Sequence, residues 1–249
     1  MPVVEFLGAP GSGKSTLAAE VTRRVPGTSG LEDAVRSAIR DHGEDGPART
    51  AARWSRSSKS RLWKAAYARS TDRFSALARF MATNPEAVQS VLAVQRHRSD
   101  RDRGQALVLG WVLNLMARYQ LATEGGGDGW LVIDEGFAQR GVALFAHGYD
   151  DSSDAALIDA YLTSIPRPDL VVAVDIPLDV AEQRLDQSGW SERVRDLDPD
   201  ARKLFLSDAS TVAKSIATGL EQRVARVIWV DGTTPIQDSL SRVAATLTP

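Results

Sequence analysis

The run Gly8-Ala9-Pro10-Gly11-Ser12-Gly13-Lys14-Ser15 puts three glycines, a lysine and a hydroxyl within eight residues. Each of these types has a task beside a phosphate chain. Glycines let successive backbone N–H groups curl around an anion. A helix opening at the end of the run points its positive dipole end at the same spot. Lys14 can bridge β- and γ-phosphate oxygens, and the Ser15 hydroxyl can ligate Mg²⁺. The run fits G-x-x-x-x-G-K-[ST] in full, and with Thr16 it forms a candidate binding loop for ATP and Mg²⁺.

A second constellation follows the apolar run Trp130 to Ile133, namely Asp134-Glu135-Gly136. Carboxylates at the end of a buried strand resemble the Walker B arrangement: one reaches the Mg²⁺ shell, and the other accepts a proton or orients a nucleophile. Which of the two is the base stays open. Gly136 permits close approach, and Arg140 is near enough in sequence to reach a phosphate. A third group, Arg184, Arg193 and Arg195, supplies cations for the charge that develops during phosphoryl transfer. Gly189 and Trp190 open a candidate lid over residues 187–201, whose closure would exclude water. Lys14, Asp134, Glu135, Arg140, Arg193 and Arg195 are thus the catalytic candidates, with Ser15 and Asp134 as the metal ligands.

These groups need strands that end beside one another. Val3 to Leu7 reads as a buried strand, Ser15 to Val25 as a helix stopped by Pro26-Gly27, and Trp130 to Ile133, Leu170 to Val174 and Val227 to Val230 as three further strands. Helices are expected around Leu31 to Arg40, over 48–82, from Pro85 to about Arg98, and over Gln105 to Thr123, Ser153 to Ile165, Leu178 to Asp186, Arg202 to Val224 and Pro235 to about Leu247. Alternation of strands and helices implies a parallel sheet covered on both faces, an α/β/α three-layer sandwich. The chain reads as one domain over 1–249, with residues 46–124 forming a helical insertion. No second strand is legible in 27–46.

Composition narrows the classes. With no cysteine, disulfides and thiolate sites are excluded, and three widely separated histidines argue against a zinc site. Ala106 to Leu121 is too short and too interrupted to span a bilayer, so no membrane partner is expected. Too few residues precede Gly8 for a secretory signal, and the expected location is the cytoplasm. An excess of arginine over lysine suggests a GC-rich bacterial genome. Residues 46–103 hold 13 basic and four acidic residues, while the rest of the chain holds 17 and 28. The basic segment either faces something anionic or is a solvated face. Arg49, Arg53, Arg56, Lys59, Arg61, Lys64, Arg69 and Arg73 recur every three to five residues, so several share a face. Trp54, Trp63 and Tyr67 lie among them, as core residues or as stacking platforms for a nucleic-acid end. The overall pI near 6.0 disfavours general nucleic-acid affinity.

The chain resembles the P-loop nucleoside and nucleotide kinases, especially the thymidylate-kinase-like group. The likeness rests on Gly8 to Ser15, on Leu131 to Gly136, on Ile165-Pro166-Arg167-Pro168-Asp169-Leu170 with the strand and Arg-bearing helix after it, and on Val227 to Gly232. It implies that Arg184 lies against the adenine, that Arg193 or Arg195 sits in the lid, that the Asp231 to Pro235 loop with Gly232 and Thr233 flanks the base, and that 46–124 shapes the acceptor pocket. Ser188 stands where the group often carries a second arginine. Asp134-Glu135-Gly136 replaces the Asp-Arg-Tyr/Trp of thymidylate kinases, so the acceptor differs. The function implied is γ-phosphoryl transfer from MgATP to a hydroxyl or phosphate of a small-molecule acceptor, a nucleoside, a nucleotide or a related metabolite, with an anionic acceptor expected. The alternatives are an ATPase coupled to a partner and a polynucleotide 5′-hydroxyl kinase. The apolar helix 105–123 serves a core or a homodimer interface equally well.

Overall fold

The computed structural model describes residues 1–44, 46–55, 57, 60–98, 104–223 and 226–247. Arg56, Lys59 and 99–103 of the basic segment, and Val224 at the expected end of one helix, lie outside the described residues.

Five parallel strands form the sheet: β1 (Val3–Leu7), β2 (Thr28–Gly30), β3 (Trp130–Ile133), β4 (Leu170–Asp175) and β5 (Arg226–Asp231), in the order β2-β3-β1-β4-β5. All five residues of β1 are buried, because helices cover both faces of the sheet. On one face pack α1 (Lys14–Arg24) and α12 (Ile236–Leu247), around Phe6, Val21, Val172 and Val243. The opposite face is larger. There α2 (Leu31–His42), α7 (Gln105–Glu124), α8 (Phe137–Phe145), α9 (Asp151–Ser164) and α11 (Pro199–Gln222) enclose Leu7, Ile39, Met116, Phe137, Tyr161 and Ile216. The apolar side of α7 therefore belongs to the core: Val108, Val112, Leu115 and Met116 are buried there.

Register sets the site. Glu5 pairs with Ile133, and Leu7 pairs with Ala173, so the chain leaves β1 at Gly8 directly between the ends of β3 and β4. A ligand crevice belongs at that point of an open parallel sheet. Asp169 clamps the other end: its carboxylate accepts the Val3 N–H at 2.7 Å while its own N–H donates to Val3 O.

Three expectations need correction. The sheet has five strands, because Thr28–Gly30 pairs with β3; three small residues carry no apolar signal. The stretch 48–82 is three helices: α3 (Pro47–Trp54), α4 (Arg61–Ala68) and α5 (Thr71–Thr83). Serines punctuate it, and Ser70 caps α5 by accepting the Arg73 N–H at 3.2 Å. Helix α8 was not foreseen. Only nine residues long, it follows the Asp134-Glu135-Gly136 turn with no side-chain cap and carries Gly141 in its middle, so it lacks the start signal and length that mark a helix. The remaining helices, α6 (Pro85–Arg98) and α10 (Leu178–Ser188), lie close to their expected bounds.

Trp63 and Tyr67 are core residues, stacked at 5.5 Å between ring centroids, whereas Trp54 is 81% exposed. Trp63→Ala should cost about 3–5 kcal/mol by opening a cavity under α4, measured as a shift in the urea unfolding midpoint; Trp54→Ala should leave that midpoint nearly unchanged.

Candidate active site

The loop Gly8–Ser15 joins β1 to α1, and its glycines are dictated by crowding. Gly11 has φ +79°, and a Cβ there would lie 2.6 Å from Ala181 O. Gly13 caps α1, Ala9 and Ser12 are buried, and Ser15 and Thr16 are exposed in the first turn. Lys14 is 8% exposed. Burial pushes its ammonium pKa down, opposed by the negative charges of Asp134 and Glu135.

The acidic pair stands beside this loop. Burial raises the Asp134 carboxyl pKa; a hydrogen bond with Ser15 and the charge of Lys14 pull it down. Asp134 Oδ1 is buried with no hydrogen-bond partner. An orphaned carboxylate oxygen next to the Ser15 hydroxyl suits a divalent cation. The described residues include no cluster of three His, Cys, Asp or Glu, so such an ion would take its other ligands from phosphate and water. Glu135 is half exposed and pairs with Arg140 at 2.6 Å, and the Arg140 guanidinium lies 5.3 Å over the Trp111 ring. Arg140, expected to reach a phosphate, is thus held to Glu135 and Trp111.

Arg184 on α10 donates to Gly11 O at 3.4 Å, to Ser12 O at 3.5 Å and to Gly232 O at 2.9 Å, tying the phosphate loop to the turn after β5. In that turn Thr233 donates twice to Asp231 Oδ1. The two candidate lid arginines separate. Arg193 donates to Ala143 O at the α8 end and sits 5.9 Å over Phe205; burial, then the charge of Arg98, lowers its pKa to about 10. Arg195 is exposed, beside Asp196 at 3.8 Å, and is not brought to the site.

A cavity of about 530 Å³ opens onto Lys14. Glu135, Gln139 and Arg140 line it with Lys14, and Trp111, Trp190, Val194 and Phe205 wall its apolar part. Trp111 is the one residue of 46–124 in that lining among the described residues. The arginine-rich helices α3–α5 do not border this cavity; of the segment 46–124, α7 reaches it through Trp111.

Sequence reasoning missed Glu5. Its side chain is 1% exposed, and its carboxylate accepts the Phe137 N–H at 3.0 Å and the Ala138 N–H at 2.8 Å, at the start of α8. A Cβ on Gly136 would lie 2.2 Å from its carboxyl carbon. Gln139 was missed as well; its Oε1 accepts the Gly8 N–H at 3.0 Å. The signal for Glu5 was a single charge inside an otherwise apolar strand.

No protein-family model and no curated protein matches the chain. Solved structures do. Deoxyadenosine kinase from M. mycoides with bound dATP aligns at 13% identity and a TM-score of 0.53, covering 99% of each chain. The same enzyme with the products dCMP and a flexible dCDP aligns at 14% identity and 0.51, and with dCTP at 13% and 0.51, covering 98% of each chain in both cases. The fold is thus the α/β P-loop fold seen in those nucleoside kinase structures, with a parallel five-stranded sheet flanked by helices.

Burial raises the Glu5 carboxyl pKa from 4.5 to about 7, against the pull of its two amide bonds. The folded state therefore holds this proton more tightly than the unfolded chain. The resulting stabilisation is full below 4.5 and is lost as pH rises through 7. Glu5→Gln removes that dependence. Relative to the parent, the variant should gain on the order of 3 kcal/mol in unfolding free energy between about pH 5 and pH 8, read from paired urea titrations.

Proposed function

We propose that the protein is an ATP-dependent phosphotransferase that moves the γ-phosphoryl group to a hydroxyl or phosphate of a small molecule, with nucleosides and nucleotides the first acceptors to test. The observation that carries this is the cavity of about 530 Å³ on Lys14. Hydrolysis needs space only for water, whereas this chamber suits a molecule with a polar end and a flat apolar body. The structural likeness to nucleoside kinases and the thymidylate-kinase-like motifs support the same reading. The domain assignment goes with it: one P-loop unit over 1–249, with 187–201 as its lid.

In this reading the backbone of Gly8–Ser15 and Lys14 cradle the phosphates, and the base rests against the surface that Arg184 and the Gly232-Thr233 turn form together, joined by the 2.9 Å bond from Arg184 to Gly232 O. Ser15 and Asp134 would hold Mg²⁺, which neutralises charge on the β- and γ-phosphates when bound. Glu135, the acid that lines the cavity, accepts the proton of an acceptor hydroxyl as its oxygen attacks the γ-phosphorus and the bond to ADP breaks. Arg140 orients Glu135 through their ion pair at 2.6 Å. Arg193 adds positive charge from the lid.

A panel of nucleosides, nucleotides and sugars with labelled ATP tests the assignment. Transfer to at least one acceptor is expected, with slow ATP turnover in its absence. Lys14→Ala should lower transfer at least about 10²–10³-fold. Glu135→Gln should lower kcat about 10²–10⁴-fold with MgATP affinity intact. Brisk hydrolysis without acceptor, stimulated by a protein or polymer, would instead establish a coupled ATPase. Transfer to an oligonucleotide end alone would establish a polynucleotide kinase.

A further inference from the structure

The basic helices α3–α5 are left without a task by the catalytic reading. Residues 47–83 contain nine basic residues and one acidic residue, Asp72. Their inner sides are spent on the core through Ala48, Ala51, Trp63, Tyr67, Ala76 and Phe80. The outer sides carry three large apolar side chains in water: Trp54 at 81% exposure, Leu62 at 64% and Phe74 at 59%. Around them Arg61, Lys64 and Arg69 are exposed as well, and the Arg73 guanidinium lies 5.6 Å over the Phe74 ring. Helix α3 packs on α4 and α4 on α5 over one shared core, so their outer sides together make the solvent side of one basic lobe.

Exposed apolar residues gathered in one place mark an interaction surface. We propose that this face docks on an anionic phospholipid surface, with Trp54, Leu62 and Phe74 seated at the headgroup level and the basic side chains on the lipid phosphates. Several observations choose this occupant. A second copy of the chain meeting this face across a two-fold axis would set like charge against like charge. Single-stranded nucleic acid rewards rings that stack, and Leu62 has no ring. Nucleic acid also favours a basic groove, whereas the groove between α2, α5 and α7 that Arg79 lines also holds Glu44, Asp72 and Glu124, and Arg79 is paired there with Glu124 at 2.7 Å. A lipid surface takes aliphatic and aromatic side chains alike, and long cationic side chains reach up to its phosphates. No described helix is long and apolar enough to cross a membrane, so the contact is peripheral.

Vesicle sedimentation of the full chain tests this directly. The protein should pellet with vesicles of phosphatidylcholine mixed with phosphatidylglycerol, stay in solution with phosphatidylcholine alone, and be released by added salt. Combined Trp54→Ser, Leu62→Ser and Phe74→Ser should weaken pelleting at least about ten-fold, as should combined Arg61→Glu, Lys64→Glu and Arg69→Glu. Both variants change exposed positions, and their thermal melts should match the parent's. Failure of the parent to pellet with anionic vesicles overturns the proposal, as does undiminished pelleting of a folded triple variant. Retention of single-stranded DNA or an acidic protein without vesicle binding would assign the face to that partner instead. None of these readings depends on phosphoryl transfer.

Discussion

One buried carboxylate joins the two halves of the site. Glu5 projects from the central strand into the start of α8, where two backbone amides are aimed at it. That contact fixes where the Asp134-Glu135-Gly136 turn lies relative to the phosphate loop. It also forbids a side chain at position 136. Gln139, one turn further along α8, fastens the first amide of the phosphate loop from the other side. Taking the charge of Glu5 out of water opposes folding, and what this secures is a fixed spacing between the anion cradle and the acids that face it.

This division explains what could be read from the chain in advance. The loop Gly8–Ser15 is a local object: eight consecutive residues contain the glycines, the lysine and the Ser15 hydroxyl, so its strand–loop–helix setting was legible. The Asp134-Glu135 pair was legible for the same reason. Glu5 belongs to the site only through bonds to Phe137 and Ala138, more than a hundred residues on, and Trp111 only through contact with Arg140 on another helix; no local period announces either. Helix α8 stayed hidden because it is short, uncapped by a side chain and interrupted by Gly141. Strand β2 stayed hidden because Thr28, Ser29 and Gly30 say nothing apolar. Between the lid arginines, only the packing of Phe205 and the carbonyl of Ala143 distinguish Arg193 from Arg195.

The charge asymmetry also resolves in space. The fold keeps its acidic pair beside the phosphate loop, where Lys14 and Arg140 offset it, and collects much of its surplus positive charge on a helical lobe away from the cavity. Ser-rich breaks in that lobe turn one long run into three short helices. Short helices can bury small alanines and two stacked aromatics inward while leaving other large side chains outside. The core of the lobe and its outer face are therefore separable features of the same sequence.

Arg193 ties two parts of the chamber wall together. Its guanidinium is moored to the last turn of α8, rests on Phe205 of α11 and itself lines the chamber. Any displacement of residues 187–201 from α8 would have to break that bond and return a desolvated cation to water. The outline of the chamber is thus coupled to the position of a segment that, between α10 and α11, carries no regular helix or strand of its own.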